Sequence, residues 1–282
     1  VIFNLCLIIA AILIAPMYEM PIFVLAWGVL LAGILQLLIQ ILPLWQIKRL
    51  PVPKINFKNS GLRRFLKLVA PAILAGGIIQ INLLVDTIFA SLLETGSPTW
   101  LYVSDRLIQF PMGIFAIAIG TVLLPTLSKL DLKNEKIKFI ESVHKGQRFV
   151  IFIAVPSLVG LFFCAEDLIS TIFYRGAFTQ IDVLNSSYSL MAFSFGLPFF
   201  MLMKVLTPAF FARKDTKTPM YVAMVSLLLN ASLNYYLAFI LNFGHIGIAL
   251  GSSIAALISV LILEFILYKD CLLYTSPSPR DP

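Results

Sequence analysis

The sequence predicts an all-α polytopic membrane protein, and three observations lead to that class. Of the 282 residues, 60% are hydrophobic and 12% are charged, and the mean hydropathy is +0.95, outside the range of soluble globular domains. Apolar runs of about 20 residues, the length of a membrane-spanning helix, alternate with short polar breaks. Polar and apolar residues do not alternate with a period of two in these runs, which argues against the strands of a β-barrel.

The apolar runs between proline, glycine and charged breaks predict eight transmembrane helices. The predicted spans cover residues 1–17, 21–45, 68–93, 100–128, 148–166, 186–212, 219–241 and 245–268.

The basic residues mark one side of the membrane. The loops after the second, fourth, sixth and eighth spans hold 17 of the 21 Lys and Arg, whereas the opposite loops hold only Arg175. Positive residues flank cytoplasmic helix ends, so these four loops are predicted to be cytoplasmic. The formal net charge of +7 thus reflects topology, and no basic patch with interleaved aromatics indicates a nucleic-acid partner.

The longest basic connection, residues 48–67, contains Pro51 and Pro53 and is the predicted boundary between two helical bundles. It separates residues 1–47 from a bundle at 68–268, and residues 269–282 are the cytoplasmic end with a proline-rich tail that we expect to be non-native. The chain opens in an apolar run without the basic segment of a signal peptide. We therefore expect the natural N-terminus to lie upstream.

Charged side chains lie deep inside three of the predicted spans, at Asp86, at Asp105 with Arg106, and at Lys204. A charge at the centre of a transmembrane helix costs about 2.5–3.5 kcal/mol on insertion scales. Arg106 and Lys204 therefore either extend to the membrane surface or line a cavity, with a local ion pair as a further alternative for Arg106. Adjacent helical residues do not face each other, so we expect Asp105 and Arg106 to have different partners. If Arg106 points into a cavity, its planar guanidinium group is suited to bind phosphate oxygens.

Asp86 belongs to a second polar group. A buried carboxylate is expected to be paired, protonated or bound to a cation. Asn230 and Asn234 of the seventh span are four residues apart and share a helix face, so with Asp86 they form a candidate cation site. Hydrogen bonding between helices by the two asparagines is the alternative.

No pattern in the sequence predicts catalysis. The three cysteines, at positions 6, 164 and 271, are widely separated, which indicates neither a disulfide framework nor a metal site. We find no nucleophile elbow, phosphate loop or metal-ligand cluster. The sequence predicts a protein that is not an enzyme, with no catalytic residue and no structural metal.

Small residues recur in the eighth span. Gly247, Gly251, Ala255 and Ser259 follow each other at intervals of four. This seam predicts a close contact with a neighbouring helix.

A long motif in the fourth span gives the chain a family resemblance. The run from Ser104 to Lys129, SDRLIQFPMGIFAIAIGTVLLPTLSK, resembles the signature of the MurJ/MviN lipid II flippases. Further agreement occurs at residues 70–74, 86–91, 173–179, 204–213 and 215–219. The resemblance covers essentially all of residues 1–270.

The resemblance implies a MATE-like fold of the multidrug/oligosaccharidyl-lipid/polysaccharide (MOP) exporter superfamily, with fourteen helices in the intact protein. Residues 1–47 then correspond to the last two helices of the first lobe and residues 68–268 to the second six-helix lobe. The chain matches the fifth to twelfth helices of the family. The first four helices, which carry several cavity arginines in the family, and the last pair lie outside it.

The resemblance further implies that the intact protein moves lipid II, the undecaprenyl-diphosphate-linked peptidoglycan precursor, across the bacterial cytoplasmic membrane by alternating access for cell wall synthesis. Asp105 and Arg106 correspond to cavity residues, with Arg106 engaging the diphosphate or headgroup. We add Lys204 as a third cavity candidate. Gln109 stands where the family commonly has an acidic residue.

Some family members bind sodium between the seventh and eleventh helices, where Asp86, Asn230 and Asn234 fall. Asn234 stands where an aspartate is expected. Sodium and the membrane potential are therefore the expected energy sources, and no other cofactor is expected.

Two other functions stay open from the sequence. One is a different exporter of the same superfamily, for drugs or another lipid-linked glycan. The other is a non-transporting membrane scaffold that holds cell-wall synthesis proteins.

Overall fold

The computed structural model describes residues 2–18, 21–47, 60–130 and 135–273. Ten α-helices occur in these ranges: α1 (Ile2–Ile9), α2 (Pro21–Gln46), α3 (Ser60–Ser91), α4 (Ser97–Pro111), α5 (Ile117–Ser128), α6 (Lys136–Phe163), α7 (Ala165–Phe173), α8 (Gln180–Ala212), α9 (Lys217–Tyr235) and α10 (Gly244–Leu273). A π-helical turn at Met112–Ala116 joins α4 to α5, and others follow α1 and α9, at Ala10–Ile14 and Tyr236–Ile240.

The helices are long and apolar enough to form a polytopic membrane protein. Seven candidate spans occur among the described residues: Phe23–Gln46, Val69–Ser91, Ser97–Ser128, Ile137–Phe163, Gln180–Ala212, Lys217–Ile240 and Gly244–Lys269. Ile2–Met17 is a shorter apolar helix at the position of the first predicted span. The described ranges contain no strand, so the predicted all-α fold class is confirmed.

Several helix ends differ from the predicted spans. α6 begins at Lys136 rather than at residue 148, and α8 begins at Gln180 rather than at residue 186. Lysine and arginine are good helix formers, so the charged residues before residue 148 continue the helix beyond the apolar segment. This extension also buries Phe139 and Val143, which stabilises it.

The chain divides into two compact units, Val1–Asn59 and Ser60–Pro282. The boundary falls inside the predicted linker 48–67, whose residues 48–59 lie outside the described residues. Residues 60–67 of this linker form the first two turns of α3. At the other end α10 continues to Leu273, and the suspected tail beyond it also lies outside the described residues.

In the first unit, α1 packs on α2. In the second unit, α8 is the central helix and contacts α4, α5, α6, α7 and α10. Its side chains Leu190, Leu197, Met201 and Leu206 are fully buried. α9 instead packs between α3 and α10, and these three helices carry the second polar group predicted from the sequence.

A hydrogen-bonded cap fixes the start of α8. Asp182 Oδ2 accepts the backbone N–H of Thr179 at 2.7 Å, and Thr179 Oγ1 accepts the backbone N–H of Asp182 at 3.4 Å. The indole Nε1–H of Trp100 donates to Asp182 Oδ1 at 2.7 Å. The cap therefore also attaches the first turn of α4 to α8.

Replacing Thr179 by alanine is expected to lower the free energy of unfolding by about 1 kcal/mol, because it removes one half of the reciprocal cap. Thr179→Ser keeps the hydroxyl and should retain most of that stability. Thermal unfolding of the purified chain in detergent measures both. Thr126→Ala is the matched control, since the Thr126 hydroxyl bonds the Val122 carbonyl one turn back; equal losses at the two positions would contradict the role of the cap.

Candidate functional site

A cavity of about 780 Å³ opens within the second unit between α3, α4, α8 and α10. Phe193, Phe200 and Tyr102 supply aromatic walls. The polar side chains that line it are Gln80, Asn82, Asp86, Thr87, Asp105, Arg106, Gln109 and Ser252. A concave site with apolar walls and a few convergent polar groups is typical of ligand binding.

Arg106 is an exposed side chain that lines this cavity. Its Cζ atom lies 4.5 Å from the ring centroid of Tyr102, one helical turn earlier, which is the geometry of a cation–π contact. Within the described ranges no carboxylate lies at ion-pair distance from Arg106. The guanidinium is therefore supported on an aromatic face while its positive charge stays available to a ligand.

Gln109 connects the two adjacent charged residues. Its amide nitrogen donates to Asp105 Oδ2, and its Oε1 accepts from Arg106 Nη1 at 3.4 Å. Sequence reasoning expected Asp105 and Arg106 to have different partners, but they share this one. Gln109 lies four residues after Asp105 and three after Arg106, and this spacing is the sequence signal that predicts such a shared partner.

Lys204 does not line the cavity. It is exposed on α8, four residues after Phe200 and so on the same helix face. This places Lys204 one helical turn, about 6 Å, beyond the cavity toward the end of α8 that precedes Arg213 and Lys214. The structure thus brings together Asp86, Asp105 and Arg106, with Lys204 outside.

The second polar group is a ring of four side chains joined by three hydrogen bonds. Asn234 Nδ2 donates to Asp86 Oδ1 at 2.6 Å and to Asn230 Oδ1 at 2.8 Å. Asn230 Nδ2 donates to Ser252 Oγ at 2.9 Å, and Ser252 lines the same cavity as Asp86. Asp86, Asn230 and Asn234 therefore lie together as expected, and Ser252 of α10 is a fourth member that sequence analysis missed.

The donors in this ring decide whether sodium fits it. Hard cations bind oxygen ligands, yet Asp86 Oδ1 and Asn230 Oδ1 both accept hydrogen bonds from the Asn234 amide nitrogen. Asn234 Oδ1 is buried without a hydrogen-bond partner among the described residues and lies against Gly251 of α10. The arrangement is a hydrogen-bonded contact between α3, α9 and α10, and its oxygens do not form a cage for sodium.

The fold and the cavity define a class of protein, a polytopic helical membrane protein with a polar cavity inside one bundle, as transporters have. A family model described as "Lipid II flippase MurJ" matches residues 1–278. The chain therefore belongs to the lipid II flippase MurJ family, as the resemblance of its fourth span implied.

Relatives and solved structures agree with this family. The chain is 40% identical over 260 residues to a probable lipid II flippase MurJ of Vibrio cholerae, an alignment that covers 92% of this chain and 49% of that protein. A solved structure of lipid II flippase MurJ in an inward closed conformation superimposes with a TM-score of 0.74 at 32% identity, covering 96% of this chain and 56% of that one. The chain thus spans about half the length of the curated relatives it matches.

A more distant likeness concerns the predicted MATE-like fold. An outward-facing multidrug resistance MATE family transporter of the MOP superfamily superimposes with a TM-score of 0.62 at 16% identity, over 76% of this chain and 48% of that one. At this identity the likeness concerns the fold alone.

Proposed function

We propose that the protein to which this chain belongs moves lipid II from the inner to the outer leaflet of the bacterial cytoplasmic membrane by alternating access, for cell wall synthesis. Membership of the MurJ family supports the substrate class. The observation that carries the proposal is Arg106, which lines the cavity, lies over the Tyr102 ring and has no carboxylate at ion-pair distance within the described ranges.

The cavity groups suit an anionic, sugar-bearing headgroup. An arginine fork matches two phosphate oxygens at once, and the amides of Gln80 and Asn82 offer donors and acceptors to hydroxyl and amide groups. The carboxylate of Asp105 is engaged by the Gln109 amide, and that of Asp86 by Asn234. These amide contacts weaken the repulsion that two carboxylates would exert on a diphosphate.

We assign the basic helix ends to the cytoplasm by the positive-inside rule, which places Lys204 on the cytoplasmic side of the cavity. In this proposal Lys204 attracts the headgroup before it reaches Arg106. An interior-negative membrane potential favours outward movement of an anion by about 2.3 kcal/mol per unit charge per 100 mV. The potential is therefore our proposed energy source.

A chimera tests the proposal. Residues 1–268 replace the matching segment of the Vibrio cholerae relative, and the chimera is expressed in a bacterium depleted of its own MurJ. We expect growth to be restored and purified chimera to retain lipid II in native mass spectrometry.

The other two functions are distinct outcomes of this experiment. Retention of cationic drugs or of another lipid-linked glycan, without lipid II, would indicate a different exporter. Full growth without any retained lipid, even after Arg106→Ala, would indicate a scaffold for cell-wall synthesis proteins.

A further inference from the structure

We propose that Asn234 takes the place of a bound cation, so that the contact between α3, α9 and α10 forms independently of sodium. The proposal concerns the ring of Asp86, Asn230, Asn234 and Ser252. It does not depend on which substrate occupies the cavity.

The amide nitrogen of Asn234 is placed as a cation would be. Asn234 is fully buried, and its nitrogen lies 2.6 Å from Asp86 Oδ1 and 2.8 Å from Asn230 Oδ1. A primary amide has two N–H donors, and these two oxygens use both of them. The amide thereby brings partial positive charge to a carboxylate and a carbonyl that otherwise face each other.

The other hydrogen bonds agree with the direction of that amide. Asn230 presents its carbonyl oxygen to Asn234, while its own nitrogen donates to Ser252. Asp86 holds the carboxylate of the ring, and the Asn234 nitrogen donates to it. Reversing the Asn234 amide would set its oxygen against both acceptors, an arrangement that is unfavourable unless a cation lies between them.

Close packing holds Asn234 in this orientation. Its Oδ1 atom lies so close to Gly251 that a Cβ at position 251 would overlap it. The oxygen is therefore directed at α10, away from Asp86. The side chain that could complete an oxygen cage is turned out of the ring.

Sodium titration of the purified 282-residue chain in detergent tests the proposal. The apparent melting temperature is measured in NaCl and in choline chloride at equal ionic strength. Wild type should melt at the same temperature in both salts. In Asn234→Asp, a second carboxylate supplies oxygens beside Asp86 and removes the N–H donors, so its melting temperature should rise with sodium by about 3–6 °C at ten times the dissociation constant.

Asn242→Asp is the matched control, because it makes the same chemical change at an exposed position outside the ring. It should melt at the same temperature in both salts. Two results would overturn the proposal. One is a melting temperature of wild type that rises saturably with sodium and no longer does so in Asp86→Asn. The other is a melting temperature of Asn234→Asp that does not change with sodium.

A second measurement covers the case in which Asn234→Asp does not fold. The ²³Na NMR linewidth is compared between wild type and Asp86→Asn at equal protein concentration. Equal linewidths support the proposal. Extra broadening in wild type that is lost in Asp86→Asn contradicts it.

Discussion

Replacing Arg106 by alanine is expected to lower the affinity of the chimera for lipid II by roughly 10- to 100-fold, the equivalent of losing hydrogen bonds to a charged group. Arg106 lines the cavity and its guanidinium lies over the Tyr102 ring, with no carboxylate of the described residues at ion-pair distance. No salt bridge to a described residue therefore competes with the diphosphate for this positive charge. Titration with lipid II in native mass spectrometry measures the loss, and growth of the MurJ-depleted host should fail with it.

Two variants distinguish the contribution of the planar guanidinium group of Arg106 to lipid II affinity from that of its positive charge. Arg106→Lys keeps the charge but not the planar pair of donors, so an intermediate affinity is expected. Arg175→Ala removes the same charge at an exposed position between α7 and α8, outside the cavity lining, and should bind lipid II as the parent chimera does. Unchanged binding by Arg106→Ala, or equal losses in Arg106→Ala and Arg175→Ala, would remove Arg106 from the proposed site.

The sequence identified Asp86, Asp105 and Arg106 because charges are costly inside apolar helices and therefore rare there. It did not identify Gln109 or Ser252, because a glutamine or serine in a span has a smaller cost and many structural uses. Ser252 matters only because α10 sets it beside Asn230 and Asp86, and this juxtaposition is a tertiary property. Lys204 differs from Gln109 and Ser252, because it is conspicuous in the sequence as a charge inside a span but lies one helical turn beyond the cavity.

The helix α7, at Ala165–Phe173, is not among the predicted spans. Seven of the eight predicted spans match candidate membrane helices of the described residues, and their order could be predicted because bilayer thickness sets the length of each apolar run. The central position of α8 could not. Helices in lipid are apolar on every side, so the sequence does not show which face meets protein and which meets lipid. Small residues are the exception, because only they permit backbones to approach closely, and the seam of α10 was visible in the sequence for that reason.

Gly247→Val is expected to lower the free energy of unfolding by about 1–3 kcal/mol or more, as overpacking does. A Cβ at position 247 would lie 2.7 Å from backbone atoms of Leu237 and Ala238, in the π-helical turn that follows α9. Backbone atoms of a packed helix cannot rotate away as a flexible side chain can. α10 must therefore separate from this turn, which should also weaken the nearby contact of Gly251 with Asn234.

Gly160→Ala is the control that distinguishes this clash from the mere loss of a glycine. A Cβ at position 160 in α6 meets nothing within 4 Å, and alanine in a helix interior is favoured over glycine by about 0.5–1 kcal/mol. That variant should be as stable as wild type or more so. Circular dichroism during thermal unfolding in detergent compares the two, and a Gly247→Val chain as stable as Gly160→Ala would show that the seam does not hold α10 against α9.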